Sequence, residues 1–259
     1  MPALKKINRL FLLILTSFIM LFPAIFINLT LNFFYTRKSR YIAGLTAVWA
    51  KLCCRILDIR VQACGQYNVK EPGFIASNHI SYTDILVLAS IAPCSFLSKK
   101  DVKKWPLVGL LAILGDTVFI DRSTRSGIPT AIKELDKKLM AGVNAIVFPE
   151  GTTSDGTDVM PFKSSFFELP LLVNCPVISV TIIYSDSDTD PDTKTTIAAW
   201  YGNEPFIKHF WRLLGCPVLR VKVHFNTRTE TGNIQTRKEL AALTHKIIRD
   251  RYKNIAPLS

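Results

Sequence analysis

The feature that most constrains this chain is an uncharged, largely apolar run from Leu10 to Thr36, 27 residues long. A helix crossing the hydrocarbon core of a bilayer needs about 20 apolar residues, so the run is long enough to span. It is too long for the apolar region of a signal peptide, and no small-x-small cleavage site follows it. Pro23 falls near its middle, where proline kinks or breaks a helix. Two arrangements follow. One is a tilted span from Leu10 to about Phe34; the other is a shallow hairpin broken near Pro23 with both flanks on the cytosolic face. Both flanks are basic, so loop charge does not choose an orientation.

Residues 1–60 hold nine Lys and Arg against one acid, Asp58, while the whole chain of 259 residues carries +12. Most of the excess positive charge therefore borders the apolar run, where anionic headgroups attract each Lys or Arg by roughly 1 kcal/mol. No nucleic-acid partner is expected, because such a partner requires a basic stripe with stacking aromatics on the folded domain. From Tyr41 to Leu57 the residues Leu45, Val48, Trp49, Leu52 and Ile56 recur at helical spacing around Lys51 and Arg55. That helix lies at a membrane interface or packs on a domain core. The six cysteines form no CxxC pair and read as reduced cytosolic thiols. No His/Cys cluster has zinc-ligand spacing, so no metal is expected.

After Ile59 short Val/Ile-rich runs alternate with helical patterns. Ile59–Ala63, Gly73–Ser77, Thr117–Ile120, Ala145–Phe148, Val177–Tyr184, Thr196–Tyr201 and Val218–Phe225 read as strands. Asp84–Ile91, Leu107–Leu114, Ile128–Met140, Phe162–Val173 and Thr236–Lys253 read as helices. Ser185–Lys194 is a polar, acidic surface loop. The alternation predicts an α/β fold: a single domain over 59–259 with a mixed, mostly buried sheet flanked by helices. Residues 1–58 form an N-terminal membrane-associated helical segment.

One stretch carries chemistry. In Ser77-Asn78-His79-Ile80-Ser81-Tyr82-Thr83-Asp84 a strand ends, a histidine follows, and an aspartate opens a helix. Imidazole is the natural general base near neutral pH. A carboxylate one helical turn away can fix its tautomer and stabilise the imidazolium, as in a hydrolase triad. A single His-x-x-x-x-Asp is a weak signal, since an Asp cap beside a surface His gives the same spacing.

The pair is not isolated. Asn78-His79-x-Ser81-x-x-Asp84, Lys99-Lys100 with Pro106-x-x-Gly109, Gly115-x-x-x-Phe119-Ile120-x-Arg122, Phe148-Pro149-Glu150-Gly151-Thr152 and Pro176-Val177-Ile178 occur in that order. In this succession the chain resembles the glycerophospholipid acyltransferase superfamily, whose best-known members are the 1-acylglycerol-3-phosphate acyltransferases. The resemblance implies His79 as general base and Asp84 as its orienter. It implies that Arg122 and Glu150 bind the acceptor headgroup, with Gly151 and Thr152 beside them. From the residues alone, Arg122 also suits a salt bridge to Asp116 or Asp121, and Glu150 a capping or loop-bracing role. Phe148 and Pro149 read as structural, ending a strand and setting the loop.

Three positions depart from the family pattern: Thr153 where many phosphatidate-forming members carry Arg, Ser179 in place of a second Pro, and Ser164 after Lys163 where Gly is common. Thr153 removes a cation from the acceptor site, and Lys163 can substitute for it if its loop folds towards Glu150. The expected activity is transfer of a fatty acyl group from acyl-CoA or acyl-ACP to a lysophospholipid hydroxyl. The default acceptor is 1-acylglycerol-3-phosphate; another lysolipid, an amino-acid-containing one included, is the alternative. No cofactor is implied beyond that thioester co-substrate, and the partners are membrane lipids, the lysolipid and the donor. The active site is expected on the cytosolic face of a membrane. A phospholipid transacylase and a non-catalytic membrane adaptor are the competing uses of such a scaffold. No Gly-x-Ser-x-Gly elbow occurs, which disfavours an α/β-hydrolase.

Overall fold

The computed structural model describes residues 2–65, 71–105, 108–121, 127–185 and 197–254. Arg122, Pro106 and the acidic loop beyond Ser185 lie outside them. The first helix, α1 (Pro2–Thr30), runs unbroken through Pro23. Of the two arrangements, the break near Pro23 does not form, and the chain turns at residues 31–34 after one continuous helix. Near that end Asn28 Nδ2 and Thr30 Oγ1 donate to the Ala24 and Phe26 carbonyls at 2.8 and 2.7 Å. Side chains that bond carbonyls four residues back compete with the helix backbone and loosen its last turn. The chain returns as α2 (Tyr35–Leu57), with Trp49 Nε1 donating to Ser17 Oγ at 3.1 Å. α2 buries Ile42, Ala43, Ala47, Ala50, Cys53, Cys54 and Leu57, so it packs on the domain core.

α1 is two-sided. Ile7, Phe11, Ile14, Phe18, Phe22 and Ile25 are exposed and recur at three- and four-residue intervals, which puts them on one face. The opposite face holds Arg9, 6% exposed. Its Nη1 donates to the Leu214 and Cys216 carbonyls at 3.1 and 2.6 Å, and its Nη2 to Pro217 at 3.4 Å. These carbonyls lie just past α7 (Phe206–Leu213), where a helix leaves orphan acceptors that a cation satisfies well. One buried guanidinium thus locks the apolar helix to the domain behind it.

The domain is a seven-stranded sheet: β1 (Ile59–Gly65), β2 (Phe74–Ser77), β3 (Cys94–Lys99), β4 (Val118–Ile120), β5 (Asn144–Val147), β6 (Val177–Ser185) and β7 (Leu219–Thr229). Their spatial order is β1-β7-β6-β2-β5-β3-β4, and among the described residues only the β6–β7 pair is antiparallel. The other helices are α3 (Thr83–Ile91), α4 (Val108–Leu114), α5 (Gly127–Met140), α6 (Glu168–Leu172) and α8 (Arg237–Lys253). Both faces of the sheet are covered. Ile75, Val180, Val221 and Ile248 belong to one core, while Phe74, Ala76, Val147 and Leu240 belong to the other. Successive residues of β2 therefore feed opposite cores, as the pleat requires.

The structure corrects two expected elements. Residues 197–201 are turn and coil, not part of a strand. Ala198 and Ala199 are buried because the segment packs on the turn after β2, where the Trp200 N–H meets the Ile80 carbonyl at 3.0 Å. The helix expected over Phe162–Val173 begins at Ser164 as a 3-10 turn and becomes α6 at Glu168. Lys163 is held extended because its N–H bonds the Pro149 carbonyl at 2.9 Å. β3 and α7 carry no expectation from the sequence reading.

Replacing Arg9 by Met keeps most of the apolar stem but removes the guanidinium from three carbonyls, of which Cys216 keeps only Lys5 Nζ at 3.5 Å. Charged hydrogen bonds of this kind contribute about 1.5–3 kcal/mol each, so Arg9→Met is expected to destabilise by about 3 kcal/mol. Thermal unfolding of detergent-solubilised protein measures this, and a wild-type midpoint would refute the locking role.

Candidate active site

β2 is the fourth of seven strands, and the chain leaves it at its C-terminal edge, where open α/β sheets place their sites. Asn78 extends the sheet by one side chain. Its Oδ1 accepts the Ile182 N–H at 2.8 Å and its Nδ2 donates to the Ile182 carbonyl at 2.9 Å. His79 follows, with its side chain 16% exposed, above an Asp84 side chain with none exposed.

Asp84 sits in the first turn of α3 and reaches back over the residues before it. Its Oδ2 accepts from His79 Nδ1 at 2.8 Å, from the Ile80 N–H at 2.7 Å and from the Ser81 N–H at 3.0 Å. Its Oδ1 accepts the Tyr184 hydroxyl at 2.6 Å. Burial, reinforced by Asp84 itself, holds the Tyr184 phenol well above its ordinary pKa, so it serves as a donor. Thr83 Oγ1 then donates to the Tyr184 oxygen at 2.8 Å. Four donors converge on one carboxylate, and an acceptor-only partner makes Nδ1 the protonated ring nitrogen. Nε2 makes no hydrogen bond among the described residues and is the nitrogen left to take a proton.

β5 lies beside β2 and brings Phe148-Pro149-Glu150 to the same edge. The Phe148 ring stacks on the imidazole with centroids 4.0 Å apart and planes 13° from parallel. The resemblance puts Glu150 at the acceptor headgroup, but its carboxyl is 2% exposed and turned inward. It accepts the His79 N–H at 2.7 Å and the Met160 N–H at 3.2 Å, so it braces the turn as the alternative reading allowed. Burial pushes its pKa up to about 8, against the opposing pull of those two N–H groups. The Ser154 N–H completes the clamp by donating to the His79 carbonyl at 2.8 Å.

The loop that follows is tied to α8. Arg249 pairs with Asp158 at 2.5 Å, His245 Nε2 meets the Val159 carbonyl at 3.2 Å, and the Tyr252 hydroxyl donates to the Gly156 carbonyl. Arg249 also pulls the Asp158 carboxyl down to about 2. α8 starts firmly because Thr236 Oγ1 caps it, accepting the Glu239 N–H at 3.2 Å.

Gly151 adopts φ +72°, and a Cβ built there would lie 2.7 Å from Lys163 Nζ. The Lys163 side chain therefore crosses directly over Gly151, which brings its ammonium to the Glu150 loop. Thr152 is exposed beside it. Arg122, just past β4, lies outside the described residues. Of the acids the sequence offers it, Asp116 bonds Lys138 and accepts from Ser39 Oγ at 2.9 Å, and Asp121 accepts from Lys100 at 2.8 Å. Sequence reasoning missed Tyr184 and the stacking role of Phe148. Tyr184 did carry a signal, since a phenol inside a strand buried on both faces must find a hydrogen-bond partner.

An imidazole fixed at Nδ1 by a buried carboxylate and open at Nε2 can act as a general base. On a mixed α/β sheet this defines an enzyme of the acyl-transfer or hydrolytic type. Comparison with known proteins narrows the class. The acyltransferase family model matches residues 58–183. The lyso-ornithine lipid O-acyltransferase of Rhizobium meliloti is 32% identical over 210 residues, covering 78% of this chain and 72% of that protein. The 1-acyl-sn-glycerol-3-phosphate acyltransferase of Neisseria gonorrhoeae is 29% identical over 175 residues, 68% of this chain and 67% of that one. The crystal structure of the 1-acyl-sn-glycerophosphate (LPA) acyltransferase PlsC from Thermotoga maritima shares the fold with TM-score 0.64. It is 21% identical and is matched over 96% of this chain and 97% of that one. The chain belongs to the acyltransferase family.

Two outcomes follow from the geometry. Tyr184→Phe removes one of four donors from Asp84 without changing shape, and is expected to lower kcat about tenfold with KM nearly unchanged. An unaltered kcat would show that Oδ1 needs no donor. The Glu150 carboxyl is raised in the folded protein, from 4.5 to about 8, so the folded state holds a proton that the unfolded chain releases. Its stabilising contribution is complete below about pH 4.5 and is lost as pH rises through about 8. The melting temperature should fall across that window, and Glu150→Gln should flatten the fall whatever its absolute stability.

Proposed function

We propose that the protein esterifies the free hydroxyl of a lysolipid with a fatty acyl group taken from an acyl thioester, on coenzyme A or acyl carrier protein. The observation that carries this reading is the Asp84–His79 pair with Nε2 open. His79 Nε2 removes the hydroxyl proton as the acceptor oxygen attacks the thioester carbonyl carbon. The tetrahedral intermediate collapses, the C–S bond breaks, and the imidazolium returns its proton to the departing sulfur, leaving ester and free thiol. Asp84 compensates the positive charge on the ring while it lasts. The chemistry needs no metal or prosthetic group.

The ordered blocks favour 1-acylglycerol-3-phosphate as acceptor, giving phosphatidic acid, with Arg122 and Lys163 near its phosphate and Thr152 on the rim. A specific observation favours a second acceptor. Thr153 is neutral where many phosphatidate-forming members carry Arg, and the Rhizobium meliloti relative is named for a lyso-ornithine lipid. A lysolipid with an amino-acid headgroup demands less phosphate-binding cation. Assays with both acceptors and both donors, read by product mass, separate these readings.

The apolar face of α1 is the natural membrane-contact surface, because its other face is occupied by α2 and the domain. α1 is long and apolar enough to cross a bilayer. With Arg9 docked, however, it suits a position along one leaflet, with the basic flanks and the active site on the cytosolic side. His79→Ala is expected to bind lipid vesicles as the wild type does, yet lose at least about a hundredfold in acyl transfer. Turnover retained within tenfold would sink the mechanism.

A further inference from the structure

α7 has two faces with different tasks. Its inner face surrounds Tyr82, which lies between His79 and Asp84 in the chain. Phe206, His209 and Phe210 meet the Tyr82 ring at 5.0, 5.4 and 6.4 Å, and His209 Nδ1 lies 2.9 Å from its hydroxyl. The outer face carries Ile207, 74% exposed, and Trp211, 42% exposed, one helical turn apart. Lys208 and Arg212 stand next to them on the same surface, with Arg212 also paired to Glu204 at 2.6 Å. Trp105 is 37% exposed where the helix begins, its ring 5.7 Å from Phe206 and 6.1 Å from Trp200.

This surface is continuous with α1. Lys6 Nζ lies over the Trp211 ring at 5.4 Å, and Arg9 is bonded to the carbonyls just past α7. Exposed aromatic and aliphatic side chains bordered by Lys and Arg are the composition of an interface between hydrocarbon and charged headgroups. A protein partner matched to the same patch would have to offer both an apolar stripe and acids. An anionic bilayer supplies both at once, and the adjoining face of α1 already presents hydrocarbon-seeking residues to it.

We propose that the outer face of α7, with Trp105, is a second membrane-contact surface that docks on an anionic bilayer alongside α1. It rests on the reading of α1 as a membrane element. Docking there sets the bilayer against the helix that packs on Tyr82, so an acceptor leaving the leaflet emerges beside the turn carrying His79.

The test uses the full chain and phosphatidylcholine vesicles containing phosphatidylglycerol, with bromine-labelled acyl chains as the quencher of tryptophan emission. Bromine quenching should contain a component that disappears in Trp211→Phe. The double variant Ile207→Asp/Trp211→Asp should partition about tenfold more weakly into these vesicles, while turnover on a short-chain acceptor in solution stays within about twofold. Vesicle binding by the wild type with identical quenching in Trp211→Phe would overturn this surface and leave α1 as the sole contact. Absence of vesicle binding by the wild type would remove both readings. If the double variant turns a lipid-free dimer into a monomer and Trp211 is not quenched, the face belongs to a second copy of the chain and the proposal fails. Trp211→Phe keeps the apolar surface, so its quenching result stands even where the double variant does not fold.

Discussion

Burying a carboxylate costs several kcal/mol unless donors replace its lost hydration, and Asp84, with no exposed side-chain surface, meets four of them. Two come from the backbone of its own turn, one from the imidazole and one from a tyrosine on β6. Each donor is fixed by something larger. The Ile80 and Ser81 amides depend on the chain leaving β2 at the right angle, Tyr184 on the register of β6 against β2, and the imidazole on its stack against Phe148. The site is therefore a consequence of sheet packing, since the carboxylate is tolerated only where two strands and a turn converge.

The second buried carboxyl next to His79 behaves differently. Glu150 accepts from two backbone N–H groups, the hydrogen bonds it makes among the described residues, and burial raises it to about 8. Near neutral pH it keeps its proton more readily than an ordinary glutamate, so it adds less negative charge beside the imidazole. Two carboxyls in one small region thus take separate tasks by environment, as paired acids in active sites do. Asp84 fixes the imidazole through Nδ1, while Glu150 fixes the backbone that carries it.

Much of this was legible in the sequence. The alternation after Ile59 yielded the α/β class, and six of the seven strands were placed within a few residues. The His79–Asp84 turn was read on the correct strand end. The failures have physical causes. Residues 197–201 look like a strand because they are apolar, but a tertiary contact with Ile80 buries Ala198 and Ala199 instead of a ladder. Pro23 looks like a break, yet the helix passes through it, and the chain turns where Asn28 and Thr30 compete for carbonyls. The inward turn of Glu150, which resemblance links to the acceptor, is not legible because family resemblance carries no burial. That its oxygens face inward follows from β5 lying next to β2, and neighbours in a sheet are not neighbours in sequence.

The same geometry explains why the chemistry reads more clearly than the acceptor. The turn bearing His79 is held from β6 through Asn78 and Tyr184, from the β5 loop through Glu150 and Ser154, and from Trp200 through the Ile80 carbonyl. On the proposed reading, a base held from three sides does not move to suit different acceptors, and discrimination falls to side chains at the rim. Thr152, Thr153 and Lys163 lie there, on a loop that α8 braces through Asp158 and Val159. Changing a rim residue leaves every donor to Asp84 in place. On the proposed reading, acceptor preference shifts by single rim substitutions such as Arg for Thr153, whereas a substitution that removes a donor from Asp84 acts on the base itself.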